Sequence, residues 1–189
     1  MKKLFNVILS TMLILGTLGF TAPSVEASDI AHQQASALLD QMTPEEKVGQ
    51  LFLITFKGQD TSQLSQIFDL IANHHIGGIV LLAANDNFTG PENTVESANE
   101  LINSLQQIEW DTSINGQISD WEGIPSQYVP LFVGISQEGD SSPTDQILNG
   151  VTEMPSLMSI GATWDSDLAQ QAGEVLGNEL SAIGVHLLL

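Results

Sequence analysis

Leu131-Phe-Val-Gly-Ile135 is an unbroken apolar run that stops abruptly at Ser136-Gln-Glu-Gly-Asp140, a polar turn carrying two carboxylates. A run that is apolar at every position, rather than at alternate ones, is expected of a parallel strand covered on both faces. Loops at the carboxyl ends of such strands carry ligands. This segment therefore predicts both a core strand and a site delivered by it.

Two earlier strand and helix pairs make it the third unit of a β/α series. Ile30 to Gln41 reads as a short helix. Met42-Thr-Pro-Glu-Glu46 follows as a start signal, with Thr43 capping, Pro44 in the first helical position and Glu46 closing a capping box. That turn leads into a first strand at roughly Gly49 to Phe56. Leu64, Ile67, Phe68 and Ile71 recur at helical spacing and define one apolar face, and Gly77-Gly78 breaks the chain before a second strand at Ile79 to Leu82. Pro91 opens a helix whose inner face is Val95, Ala98, Ile102 and Leu105. Asp165 caps another, with Leu168, Ala172, Val175, Leu176, Leu180 and Ile183 inward, and Gly184 ends it before a fourth strand.

Short parallel strands alternating with amphipathic helices fit an open doubly wound sheet or the first half of a (β/α)8 barrel, and periodicity does not choose between them. No dinucleotide or phosphate-loop glycine pattern follows any strand. From Ser136 to Trp164 helical periodicity is weak, while Glu138, Asp140, Asp145 and Glu153 are all acidic. Connections this long are functional or disordered. Glu109 to Gln127, with Trp110 and Trp121, reads as an insertion between a helix and the third strand.

The amino terminus has Lys2-Lys3, an apolar stretch from Leu4 to Phe20, and Val25-Glu-Ala27 before Ser28, the layout of a secretory signal peptide covering residues 1–27. The alternative, a membrane anchor, requires a longer apolar core. The expected location is outside the cytoplasm, secreted or periplasmic, with no membrane association beyond the leader. No cysteine is present, which excludes disulfides and a lipid-modified cysteine. Four lysines and no arginine against 23 acidic residues give a formal charge of −19. Such a surface repels phosphate backbones, so nucleic acid is not an expected partner. The chain stops at Val185-His-Leu-Leu-Leu189, apolar and uncapped, which predicts that the natural product continues beyond it.

Six pieces in register resemble one family. Met42-Thr-Pro-Glu-Glu-Lys-Val-Gly-Gln-Leu-Phe52, Gly77-Gly-Ile-Val-Leu-Leu82 with Asn85, Pro130 to Gly139, Pro155-Ser156, Gly161-Ala-Thr163 and Glu179-Leu-Ser-Ala-Ile-Gly-Val185 look like the amino-terminal domain of glycoside hydrolase family 3. Within that family the likeness is to bacterial β-N-acetylhexosaminidases and β-glucosidases. The resemblance implies a TIM barrel, of which residues 28–189 are the first half. It also implies hydrolysis of terminal β-linked sugars with retention, through a carboxylate nucleophile and a proton donor, with no metal or organic cofactor. Both catalytic groups are expected beyond Leu189, in the missing half of the barrel or a further domain. This half is expected to bind the carbohydrate substrate.

The family's Asp-x-Glu-Gly-Gly reads Ser136-Gln137-Glu138-Gly139-Asp140 here, and an arginine typical a few residues on falls near Thr144. A carboxylate able to take two hydrogen bonds from a diol is replaced by one hydroxyl. Glu138 and Asp140 are the residues that compensate, so the expected substrate-binding set is Ser136, Glu138, Asp140 and Asn85. Asn85 is equally readable as a turn residue. Trp164 is a sugar-stacking candidate, though an aromatic there more often anchors a core or helix. Ser119-Asp120-Trp121 precedes the third strand and so belongs to the non-catalytic end. Gly134-Ile-Ser-Gln-Glu138 fails as a serine-hydrolase elbow at its last position. His74-His75 reads as favourable charge at a helix end rather than a metal pair, and His32 and His186 as surface and core. The rival to an enzyme is a non-catalytic extracellular carbohydrate-binding or surface protein whose sugar-gripping positions have drifted.

Overall fold

The computed structural model describes residues 24–88, 90, 92–114, 127–141 and 144–189, with side chains from residue 29 onward. One unit ends at Gln41 and a second runs from Met42 to Leu189. The first contains α1 (Ser24–Gln41), which begins earlier than the helix read from Ile30. The expected leader falls on residues 1–23, outside the described residues, and on the first turn of α1. The second unit contains α2 (Pro44–Gly49), β1 (Leu53–Thr55), α3 (Gln66–Ala72), β2 (Gly78–Val80), a 3-10 turn (Ala83–Asn85), α4 (Thr94–Ile114), β3 (Phe132–Ile135), α5 (Leu157–Ala162), α6 (Ser166–Ile183) and β4 (Leu187–Leu188).

The strands form one parallel sheet in chain order, β1-β2-β3-β4. Leu53, Gly78 and Phe132 share one row, and Ile54, Ile79 and Val133 the next. The row containing Ile79 and Val133, continued by Leu81 and Ile135, is buried against Ile67 and Ile71 of α3, Leu101 and Leu105 of α4, and Leu176 and Leu180 of α6. Each fully buried Ile or Leu contributes about 2 kcal/mol. Parallel strands in this order, with helices on one face, are the first half of a (β/α)8 barrel.

The expectation that β3 is covered on both faces does not hold. Phe132 is 54% exposed while its neighbours Leu131 and Val133 are buried. Its row lies on the concave face, which a complete barrel fills with side chains from all eight strands; four strands leave it open.

The capping box forms as read: Thr43 Oγ1 accepts from Glu46 N at 3.2 Å, and Glu46 Oε2 accepts from Thr43 N at 2.7 Å. The other oxygen of buried Glu46 accepts from Gln127 N at 2.9 Å, so one cap also fixes the approach to β3. The first strand is shorter than Gly49 to Phe56, because Gly49 ends α2 and lies against another backbone. Gly77 N donates to Gly49 O (3.0 Å) and Phe52 O (3.1 Å), and Gln50 Nε2 donates to His75 O (3.0 Å). A Cβ on Gly49 would lie 2.5 Å from His75 O and closer still to His74 O; one on Gly77 would overlap the Gln50 carbonyl. Gly77 thus serves a close approach as well as a break.

Three helix readings change. Leu64 is 99% exposed, because Ser65 caps α3 by accepting from Phe68 N and so leaves Leu64 outside the helix. Leu168 and Val175 are exposed although Leu176, Leu180 and Ile183 are buried, because that flank of α6 faces the side where a complete barrel places its next β/α unit. His186 is exposed rather than core, since β4 has a strand on one side only; its Nδ1 accepts from Val133 N at 3.3 Å. His32 is exposed as expected, and His74 pairs with Asp69 at 3.6 Å beyond α3.

The insertion read from Glu109 starts later, because α4 runs on to Ile114. Ser119, Asp120 and Trp121 lie outside the described residues. Trp110 packs edge-on to Tyr128, centroids 4.9 Å apart. Glu109 is buried, and its Oε1 accepts from Ser113 Oγ (3.0 Å) and Val129 N (3.4 Å). Burial pushes its carboxyl above the ordinary 4.5; those two hydrogen bonds oppose the rise and the charge of Glu46 adds to it. The native state therefore keeps this proton where the unfolded chain has lost it. Stability from this group is complete below 4.5 and declines as pH climbs through the raised value. Glu109→Gln keeps an oxygen acceptor and removes the titration. Urea unfolding at several pH values should show the variant gaining on the parent from mildly acidic to neutral pH, and a constant difference would refute the assignment.

Candidate functional site

All four strands are parallel, so the segments after Thr55, Val80 and Ile135 emerge at one end of the sheet. That end is stitched by side chains bonding to backbone. Asn87, fully buried, accepts from Leu82 N through Oδ1 (2.9 Å) and donates through Nδ2 to Phe56 O (3.3 Å) and Gly58 O (2.8 Å). The loops after β1 and β2 are joined again by Gly58 N donating to Asn85 O at 2.7 Å. Ala83 N donates to Gln146 Oε1 at 2.8 Å, which ties in the loop after β3.

The third loop folds on two of its own side chains. Alternation along β3 carries on past Ile135, placing Gln137 on the buried side and Ser136 on the concave side with Phe132 and Gly134. Gln137 is buried and paired through both its amide atoms: Nε2 donates to Ile147 O (2.8 Å), and Oε1 accepts from Gln146 N (3.1 Å) and Ile147 N (2.9 Å). Asp145, also buried, accepts through Oδ1 from Glu138 N and through Oδ2 from Gly139 N and Ser141 N, both at 3.0 Å. Further along, Glu179 of α6 accepts from Thr152 N (2.8 Å) and Thr152 Oγ1. Those hydrogen bonds hold its carboxyl below the ordinary range.

Ser136, Glu138 and Asp140 therefore share one turn, with Ser136 and Asp140 half-buried and Glu138 exposed. Asn85 is on the neighbouring loop, half-buried in the 3-10 turn, and its carbonyl is part of the stitching. Trp164 is 95% exposed, which overturns the core or helix-anchoring reading. It precedes Asp165, which caps α6 by accepting from Asp167 N and Leu168 N. α6 runs back toward the start of β4, so its capped end, with Trp164, lies toward the carboxyl ends of the strands. The segment read as irregular to Trp164 contains one short helix, α5, capped by Ser156. Among the described residues no group of three or more His, Asp or Glu is placed to hold a metal ion.

Sequence reasoning named Asp145 only as one of several loop carboxylates, and it missed Gln137 and Asn87. Strand alternation is the signal that locates Gln137. Asn87 has none, since the carbonyls of Phe56 and Gly58 that it bonds lie far away in sequence.

A half-barrel with its loops gathered at the carboxyl ends of the strands is the arrangement from which barrel domains build their sites. Residues 43–189 match the Glycosyl hydrolase family 3 N terminal domain. The chain belongs to that family. It is 28% identical over 149 residues to a β-N-acetylglucosaminidase/β-glucosidase of Cellulomonas fimi, covering 78% of this chain and 20% of that protein. Its fold is similar to that of a family 3 β-N-acetylglucosaminidase from Paenibacillus sp. str. FPU-7, with TM-score 0.59 and 31% identity over 77% of this chain and 23% of that one. The chain thus spans about a fifth of the length of these relatives.

Proposed function

We propose that the protein containing this chain is a secreted, retaining glycoside hydrolase that removes terminal β-linked N-acetylglucosamine or glucose, and that this chain supplies part of its sugar-binding face. The match of residues 43–189 to the family's amino-terminal domain carries the reading, and the likeness to β-N-acetylglucosaminidases and β-glucosidases supports the sugars named. Ser136, Glu138, Asp140 and Asn85 contact the sugar hydroxyls, and Trp164, exposed and toward the same end, offers a stacking surface. A carboxylate nucleophile and a proton donor complete the chemistry from outside this chain, through a glycosyl-enzyme intermediate. No metal or organic cofactor takes part. The leader at residues 1–27 directs the product out of the cytoplasm.

One observation favours a second reading. Ser136 stands where the family carries an aspartate, Thr144 falls near a usual arginine, and the chain has no arginine. On this second reading the protein is a non-catalytic extracellular carbohydrate-binding or surface protein whose sugar-gripping positions have drifted. Hydrolysis of chromogenic β-N-acetylglucosaminide and β-glucoside by the full-length product separates the two. Turnover by the full-length protein, with none from residues 28–189 alone, is the expected result. A folded full-length protein that cleaves neither sugar would move the assignment to binding.

A further inference from the structure

Asp145 has an unusual environment for a loop carboxylate. It is buried, yet no cation among the described residues pairs with it. Instead its two oxygens take the N–H groups of Glu138, Gly139 and Ser141. Three donors converging on one carboxylate curl residues 138–141 into a tight turn around it.

That turn is strained. Gly139 has φ +87°, and Ser141, which is not glycine, has φ +61°. A side-chain-bearing residue in the left-handed region is disfavoured and persists only where its surroundings over-determine it. Two of the three N–H donors to Asp145 belong to these two residues. The packing is equally tight, since a Cβ on Gly139 would meet Met154 Cγ at 3.0 Å, while Met154 N donates to Gly139 O at 2.6 Å. The loop is thus pinned at its tip by Asp145, at its root by Gln137 and on its far flank by the Ala83 bond to Gln146. Glu138 and Asp140 are members of the pinned turn.

We infer that Asp145 is a positioning residue for sugar binding: without touching the substrate, it holds the 138–141 backbone so that Glu138 and Asp140 stand at the mouth beside Ser136. The inference rests on the glycosidase reading for the identity of the ligand. It supplies the device that keeps an acceptor set in place where Ser136 and Asp140 replace the family's aspartate and second glycine. A carboxylate suits this role because each oxygen accepts more than one N–H, whereas a hydroxyl or amide at position 145 would leave at least one donor of the turn unpaired.

The test uses the full-length product carrying Asp145→Asn or Asp145→Ala, with two readouts. Amide hydrogen exchange should accelerate about a hundredfold at Glu138, Gly139 and Ser141 while Val133 and Ile135 keep the parent's protection, which also shows that the variant folds. On a chromogenic β-N-acetylglucosaminide, KM should rise about tenfold with kcat changed far less, because the reacting carboxylates lie elsewhere. The asparagine variant, retaining one acceptor oxygen, should fall between the parent and the alanine variant in both readouts. Unchanged exchange at 138–141 overturns the clamp, and faster exchange with an unchanged KM overturns its role in sugar binding. If the unmutated protein cleaves neither sugar, the glycosidase reading fails by itself, and β-N-acetylglucosamine affinity by calorimetry takes the place of KM in deciding the clamp's role.

Discussion

Gly49→Ala should prevent the 42–189 unit from reaching its folded state at ambient temperature, with no cooperative urea transition and circular dichroism of a largely unfolded chain. The substitution is mild in every local respect. Gly49 closes α2 with an ordinary backbone conformation, and alanine is the better helix former by about 1 kcal/mol. The obstacle is the crossing of residues 49–52 with 74–77, where the new methyl meets the His74 and His75 carbonyl oxygens. These are backbone atoms and do not swing aside like the end of a long side chain. Relief requires separating the crossing, which breaks the Gly77 N bonds to Gly49 O and Phe52 O and shifts the start of β2. A loss on the order of 4 kcal/mol or more follows, comparable with the whole stability of a small domain. Gly173→Ala is the matched control, because nothing lies within 4 Å of a Cβ there and the residue is exposed on α6. It should leave the chain as stable as the parent or slightly more so. A Gly49 variant as stable as the Gly173 variant would refute the crossing.

Asn87→Ala is expected to cost about 3 kcal/mol and to loosen the loops at the carboxyl ends of the strands before it unfolds the whole. One N–H and two carbonyls lose a partner that is itself fully buried; Phe56 O is left in the interior and the groups of Leu82 and Gly58 are half-buried, and an orphaned buried group costs about 1–3 kcal/mol. Water entering the vacated space recovers part of that. The damage is directional, since Asn87 holds the loop after β1 to the loop after β2 while the helix-facing core makes no use of it. Urea midpoints should therefore fall, and amide exchange should rise first at Leu82 and Gly58, with Ile79 and Val133 protected until global unfolding. In the full-length product the same substitution should raise KM more than it lowers kcat. An unfolding free energy within about 0.5 kcal/mol of the parent would mean the three bonds are not holding the loops together.

Local signals in this chain were legible, and contacts between distant backbones were not. The capping box at Thr43 and Glu46, the Asp165 cap and the left-handed Gly184 after α6 are written within a few residues each, and the structure has all three. The buried faces of α3 and α4 follow from 3.6-residue spacing, as Ile67, Ile71, Ala98, Ile102 and Leu105 show. Leu64 and Leu168 mark where spacing misleads, because periodicity does not say where a cap excludes a residue or where a packing partner ends. Parallel strands came from the β/α alternation, while the half-barrel rather than an open sheet, and with it the order of the strands, came from the family resemblance. At the carboxyl end of β3, Ser136, Glu138 and Asp140 were singled out because they end an apolar strand and fall on the family's motif. Asn87, Gln137 and Asp145, which decide the shape of that end, are polar residues turned inward, and a single sequence does not distinguish them from polar residues turned outward. Gly49 had no signal of its own, since the carbonyls that forbid a side chain there come from a turn far along the chain.

Because β1, β2, β3 and β4 pair strictly in chain order, no strand has to wait for one not yet made. As the chain leaves the ribosome, each new β/α unit meets an edge already formed by the unit before it, and the sheet can grow one strand at a time from the amino terminus. The step that cannot be taken in this way is the last one in a full barrel, when its final strand has to find β1. Until then β1 carries an unpaired edge on the newborn protein, and its short run of three residues keeps that edge from being a long template for a neighbouring chain.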